Sequence, residues 1–194
     1  NLRFYPTWDI LPYESLSPSL EIMGERLEVL NLVKSNQISL LVVPVDAFMQ
    51  GVIPRMDLSN QTFFFSKGEA LEREYLETCL LDNGFARVSM VENRGDFSIR
   101  GDIVDVYPPA SNNPIRIEFY DNTIESLREF DVNSQVSLNV IDRVEILPVR
   151  EVSPNEFQKV NVLGEIARLA KKQNADSARL KELNEKIHQL GNFS

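Results

Sequence analysis

The chain has 194 residues, 43% of them apolar, and a formal net charge of −9. That length buries a sizeable core, and the acidic balance argues against an intrinsic duplex-binding module, whose affinity rests on neutralising phosphates with Lys and Arg. A single cysteine, Cys79, excludes an intrachain disulfide, and with no signal-like or long apolar segment the expected compartment is the cytoplasm.

In chain order, Ser17-Pro18 before apolar Leu20, Met23, Leu27, Leu30 and Val33 predicts a helix with a serine N-cap and proline in its first position, ending before Ser35-Asn36-Gln37. Ile38 to Val45 is a continuous apolar run, the pattern of a parallel strand buried on both faces. Ser66 and Glu69 have capping-box spacing, and Leu71, Tyr75, Cys79 and Leu80 give the helix they would open an apolar stripe, stopped by Asn83-Gly84. Two hairpins are expected next. Phe85–Glu92 and Phe97–Tyr107 flank Asn93-Arg94-Gly95-Asp96, and Ile115–Tyr120 and Ile124–Phe130 flank Asp121-Asn122-Thr123. A short strand around Val144–Leu147 precedes a loop marked by Pro148 and Pro154. The remainder reads as helical, with Leu180, Leu183, Ile187 and Leu190 as a narrow apolar stripe. The fold class this gives is α/β plus α+β.

Most catalytic chemistry is missing. The phosphate-cradling pattern G-x-x-x-x-G-K-[ST] does not occur, so no nucleotide cofactor is expected in this chain. His188, the single histidine, stands on a polar stretch with no second ligand at metal spacing, and Cys79 falls on an apolar stripe as a small hydrophobe. Asp102 with Asp105, and Glu118 with Asp121, could be drawn as acid/base pairs, but solvated or turn-stabilising roles account for them. Gly84 and Gly95 are expected as a helix C-cap and a hairpin turn.

Pairing Asn93 with Asp96 across a two-residue turn would set Ser89 opposite Arg100, Met90 opposite Ile99 and Val91 opposite Ser98. Val88, Met90, Phe97 and Ile99 then share one side, and Arg87, Ser89, Ser98 and Arg100 the other. Val104 and Val106 continue on the opposite parity, which predicts a bulge or twist near Gly101-Asp102. In the following strand Arg116, Glu118 and Tyr120 alternate with Ile115, Ile117 and Phe119. The sheet is thus expected to carry a polar face with three arginines and a tyrosine, which is either ordinary solvated surface or a docking surface of hot-spot residue types.

Several blocks resemble a known family. Phe4-Tyr5-Pro6-Thr7-Trp8-Asp9, Ser17-Pro18, Gly24-Glu25-Arg26-Leu27, Val43-Pro44-Val45, the run Gly95 to Pro109, Ile115 to Asp121, Arg128 to Asp131 and Pro148-Val149-Arg150-Glu151 are similar to the amino-terminal part of the transcription-repair coupling factors. The central block also resembles the excision-repair protein UvrB. The short path from Pro12-Tyr13-Glu14 to Ser17 leaves no room for the long tyrosine-rich hairpin of UvrB proteins and favours the coupling factors.

The resemblance implies a degenerate RecA/helicase-like α/β domain, like UvrB domain 1, over 1–59 and 132–194, with an inserted α+β domain, like UvrB domain 2, over 60–131. It implies a non-catalytic module that binds UvrA through Arg87, Arg100, Arg116 and Tyr120, with Ser98 and Glu118 beside them. UvrB proteins carry an arginine where this chain has Ser98, so a contact there is expected to be weaker. Phe119 also matches, but its parity predicts a core position. ATP, magnesium, DNA and RNA polymerase are implied only for the parent protein's further domains, and masking of the face by a carboxy-terminal domain is implied for the full-length protein. The chain, which begins with Asn1 rather than methionine, is expected to be a fragment.

Overall fold

Helix α1 (Leu20–Lys34) begins where a side chain first meets its orphan N–H groups: Ser19, in extended conformation, accepts a hydrogen bond from the Ile22 N–H at 3.3 Å. The Ser19 N–H in turn donates to the Asp9 carboxylate at 2.9 Å, and hydrogen bonding from the Ser19 side chain, with this N–H bond adding to it, holds that carboxyl below the usual range. The cap is therefore Ser19, not the expected Ser17, because Asp9 fixes Ser19 in reach. At the other end Asn36 adopts φ 55°, and the N–H groups of Asn36 and Gln37 close on the carbonyls of Val33 and Leu32, a Schellman ending. The computed structural model describes residues 1–10, 17–151 and 168, and Asn1–Glu151 form one of two compact units of the chain. The helical stripe from Leu180 to Leu190 and His188 lie outside the described residues.

Strand β1 (Leu2–Phe4) pairs in parallel with β2 (Leu40–Val42), and α2 (Val45–Met49) follows directly. The run Ile38–Val45 is parallel, as expected, but is not buried on both faces. Leu41 packs with Tyr5, Val29 and Ala47, whereas Leu40 and Val42 are exposed beside Leu2 and Phe4. A strand is buried twice only between two layers, and among the described residues α1 and α2 cover one side.

Helix α3 (Arg55–Asn60) leads into β3 (Phe63–Ser66), which pairs antiparallel with β10 (Arg143–Ile146). The Ser66–Glu69 pair does not open a helix. The Glu69 carboxylate accepts from the Ser66 N–H at 2.9 Å and closes the turn after β3, and α4 (Arg73–Asp82) starts later. Its buried stripe is Leu76, Cys79 and Leu80. Tyr75, expected on that stripe, is exposed. Burial pushes the Cys79 thiol upward in pKa, in keeping with a small hydrophobe. The helix ends at Asn83-Gly84 as expected, the Phe85 N–H returning to the Leu80 carbonyl.

The largest sheet has six strands in the order β4 (Ala86–Arg87), β5 (Asp96–Arg100), β6 (Ile103–Val106), β7 (Ile115–Tyr120), β8 (Thr123–Phe130) and β9 (Ser137–Ile141). The second expected hairpin forms as β7–β8, turning at Asp121 with φ 55°. The first does not form. β4 and β5 are parallel, Ala86 facing Asp96 and Arg87 facing Phe97. The Asp96 carboxylate accepts from the Asn93 N–H at 2.8 Å, while Gly95, at φ 87°, donates to the Tyr107 carbonyl and lies against Leu20 and Val149. Gly95 thus docks the start of β5 instead of turning a hairpin, and residues 88–95 return the chain to run alongside β4.

The hairpin lies further on. Gly101 (φ 60°) and Asp102 form a two-residue turn that pairs Arg100 with Ile103 and Ile99 with Val104. This turn, and not a bulge, shifts the apolar phase, since residues either side of a two-residue loop face the same way. One face of the sheet then presents Phe97, Val104, Val106, Ile115, Ile117, Phe119, Ile124 and Leu127 to α4 and to Phe65, Val144 and Ile146.

Arg26 is fully buried on α1. It forms a forked ion pair with Glu151, donates to the Pro6 carbonyl at 2.7 Å and to Gln50 Oε1 at 2.9 Å, and lies over the Tyr5 ring at 4.3 Å and the Trp8 ring at 5.1 Å. Replacing one partner strands the other charge in the interior, so Arg26→Ala should cost about 3–5 kcal/mol in urea denaturation, and Arg26→Met with Glu151→Leu much less. Burial, with Glu151 adding to it, pushes the Tyr5 hydroxyl from 10.0 up to about 12. The neutral form is favoured by folding, so this contribution to stability is whole below pH 10 and lost as pH rises through about 12. Ultraviolet titration should show Tyr5 resisting ionisation until that range, and ionisation near pH 10 would contradict it.

Candidate docking face

Opposite the core, the antiparallel ladder assembles a polar face in cross-strand rows. Ser98, Asp105, Arg116, Arg128 and Val140 are successive partners on β5 to β9, and Arg100, Ile103, Glu118 and Ser126 form the next row. Tyr120 ends β7 on this side and is 75% exposed. Phe119 lies in the core, as its parity predicts. The register is enforced by the apolar residues of the other face, because a one-residue slip would drive Arg116 and Glu118 into the packed layer.

The geometry turns on Asp105, which is 1% exposed. Its Oδ1 accepts from Arg116 Nε at 2.7 Å, and its Oδ2 from Arg116 Nη2 at 3.0 Å and from Arg100 Nη2 at 2.6 Å. The Arg116 guanidinium lies 4.6 Å above the Phe130 ring, and its hydrogen bonds to Asp105 push its pKa further up. It is a fixed cation under partial cover, its side chain 15% exposed, whereas that of Arg100 is 46% exposed. Next to them Glu118 accepts from the Ser126 hydroxyl and pairs with Arg128 at 3.3 Å. Three arginines against two carboxylates leave this face cationic on an acidic chain. Val140 and Leu138 of β9 flank it as exposed aliphatic surface.

The six residues singled out from the sequence do not all converge. Arg100, Arg116, Glu118, Ser98 and Tyr120 share the face. Arg87 does not: it stands opposite Phe97 and pairs with Glu77 of α4, which places it at the helix side of the sheet edge. The parallel β4–β5 pairing is the reason, since the expected hairpin would have put Arg87 on the same side as Arg100. Ser98 is 1% exposed, and its hydroxyl has no partner among the described residues.

Asp105 was expected to be solvated or to stabilise a turn, yet it is the buried anchor. Asp102 fits that expectation, exposed at the turn beside Arg73. Arg128 was not expected on the face. The signal for both was the two-residue turn at Gly101-Asp102, from which Asp105 and Arg116, then Arg128, follow as neighbours in one row. Arg116→Ala should therefore destabilise the chain by about 3 kcal/mol, since it exposes the anchor's lost partnership, and Arg100→Ala by about 1 kcal/mol or less. Equal midpoints in urea for the two variants would contradict this.

No group of residues able to hold a metal ion occurs among the described residues, and no helix among them is long and apolar enough to cross a membrane. The family described as UvrB interaction domain matches residues 63–152, which contain β3 to β10 and the whole polar face. The transcription-repair-coupling factor of Escherichia coli is 38% identical over 144 residues, 74% of this chain and 12% of that protein. That of Haemophilus influenzae is 31% identical over 76% of this chain and 13% of its own length, and that of Bacillus subtilis 30% identical over 86% and 14%. The chain therefore spans only 12–14% of the length of these relatives. Taken with the mixed α/β fold, these matches show that the chain belongs to the transcription-repair coupling factor family and carries its UvrB interaction domain at residues 63–152.

Proposed function

We propose that this chain is the non-catalytic docking module of a coupling factor and that it recruits UvrA through the polar face of β5 to β8. The observation that supports it is that Arg100, Arg116 and Tyr120, three of the four residues assigned to UvrA by resemblance, stand together with Glu118 on one side of the sheet in fixed register, while the fourth, Arg87, stands at the sheet edge. Arginine and tyrosine supply forked hydrogen bonds and broad contact area at low entropic cost, and the surplus cation suits acidic groups on a partner. Arg87 in this reading makes a flanking contact from the sheet edge.

Residues 1–59 and the stretch beyond β10 are read as a degenerate RecA-like unit, and the docking domain inserted in it is read as running from residue 60 through β9 and β10 rather than ending at 131. The parent protein is read as an ATP- and magnesium-dependent DNA translocase that engages stalled RNA polymerase in the cytoplasm, with a carboxy-terminal domain masking the docking face until then.

A nucleic-acid module is the second reading, since the same arginines could meet phosphates. The net charge of −9 and the carboxylates set among those arginines oppose it. Titrating UvrA against the chain should give an affinity about thirtyfold weaker for Arg100→Ala, equivalent to about 2 kcal/mol, and a smaller loss for Arg87→Ala. Unchanged UvrA binding by folded Arg100→Ala would count against the reading, as would retention of a short duplex at sub-micromolar concentration.

A further inference from the structure

We infer that Asp105 is a positioning residue of the docking face: its buried carboxylate holds Arg100 and Arg116 in the arrangement that meets an acidic group of the partner. This rests on the docking reading above. Asp105 is 1% exposed, so it does not itself touch a partner. Three donors from two arginines close on its two oxygens, at 2.6, 2.7 and 3.0 Å. The fork from Arg116 fixes the plane of that guanidinium, and Phe130 supports it at 4.6 Å. A forked pair uses one edge of the guanidinium and leaves the remaining N–H groups of Nη1 directed elsewhere. Arg100 commits only Nη2, so the rest of its fork stays available at a half-exposed position.

Long side chains lose rotamer freedom when a partner immobilises them, and a site that has already ordered them binds more tightly. For two arginines this ordering is worth about tenfold in affinity. The opposing effect is Coulombic. Asp105 carries a negative charge beneath the cations, so on charge alone its neutralisation would strengthen binding to an acidic partner. The two effects have opposite sign, and the direction of change separates them.

The test is Asp105→Asn in the full 194-residue chain, titrated with UvrA and checked for folding by circular dichroism and thermal melting. Binding should weaken about tenfold despite the gain in net positive charge. In the Arg100→Ala, Arg116→Ala background the same change should have no further effect, because there is nothing left to position. Arg116→Lys, which keeps the charge but cannot form the fork, should also lose affinity, and it tests the idea should Asp105→Asn fail to fold. Wild-type or tighter binding by folded Asp105→Asn, or by Arg116→Lys where Asp105→Asn does not fold, would overturn the inference. If Arg100→Ala and Arg116→Ala themselves leave UvrA binding intact, the docking reading falls instead.

Discussion

The buried guanidinium of Arg26 is the joint on which the amino-terminal part of this chain depends. It gathers the Pro6 carbonyl, Gln50 and Glu151, residues far apart in sequence, and two aromatic rings close over it. A charge in that position is tolerated only because every side of it is engaged. α1 reaches this joint by lying against the loop after β6, where Gly24 approaches so closely that a Cβ would collide with the Pro109 carbonyl. Only glycine permits that approach.

The sheet repeats the same physics in a second place and to a different end. Its helix-facing side is apolar and closed, with Phe97, Val104, Val106, Ile117 and Leu127 essentially inaccessible. Its other side buries one carboxylate, Asp105, under two arginines that remain partly open to solvent. Where Arg26 spends its donors on Glu151, Pro6 and Gln50, Asp105 is satisfied by donors that keep spare hydrogen-bonding capacity. A closed ion pair serves the architecture, whereas an open one leaves a surface able to recognise something else.

Polar surface patterns alone do not distinguish a recognition face from solvated strand, and here the distinction comes from depth. Asp102 and Asp105 are three residues apart and chemically identical, yet Asp102 sits on the turn with its side chain 70% exposed while that of Asp105 is 1% exposed. The difference follows from position in the ladder: Asp105 has a strand on each side and an arginine opposite on the next strand, whereas Asp102 sits on the turn and meets Arg73 in the open. The aliphatic edge formed by Leu138 and Val140 continues the same face outward, so cationic and apolar surface adjoin on it.

By itself the sequence determined the elements whose signals are local. The body of the first helix, though not its cap, the ending at Asn83-Gly84, the β7–β8 hairpin and the alternation of Ile115, Ile117 and Phe119 with Arg116, Glu118 and Tyr120 were legible because each rests on a helical apolar stripe, turn chemistry or a period of two within a few residues. What only the tertiary structure decided was pairing between segments. Asn93 to Asp96 has the composition of a hairpin turn, but Gly95 is held against Leu20 and Val149, and those distant contacts send β5 back parallel to β4 and put Arg87 on the other side from Arg100. The burial of Asp105 was likewise invisible along the chain, because what buries a carboxylate is the strand on either side of it and the arginine across from it, and neither is a neighbour in sequence.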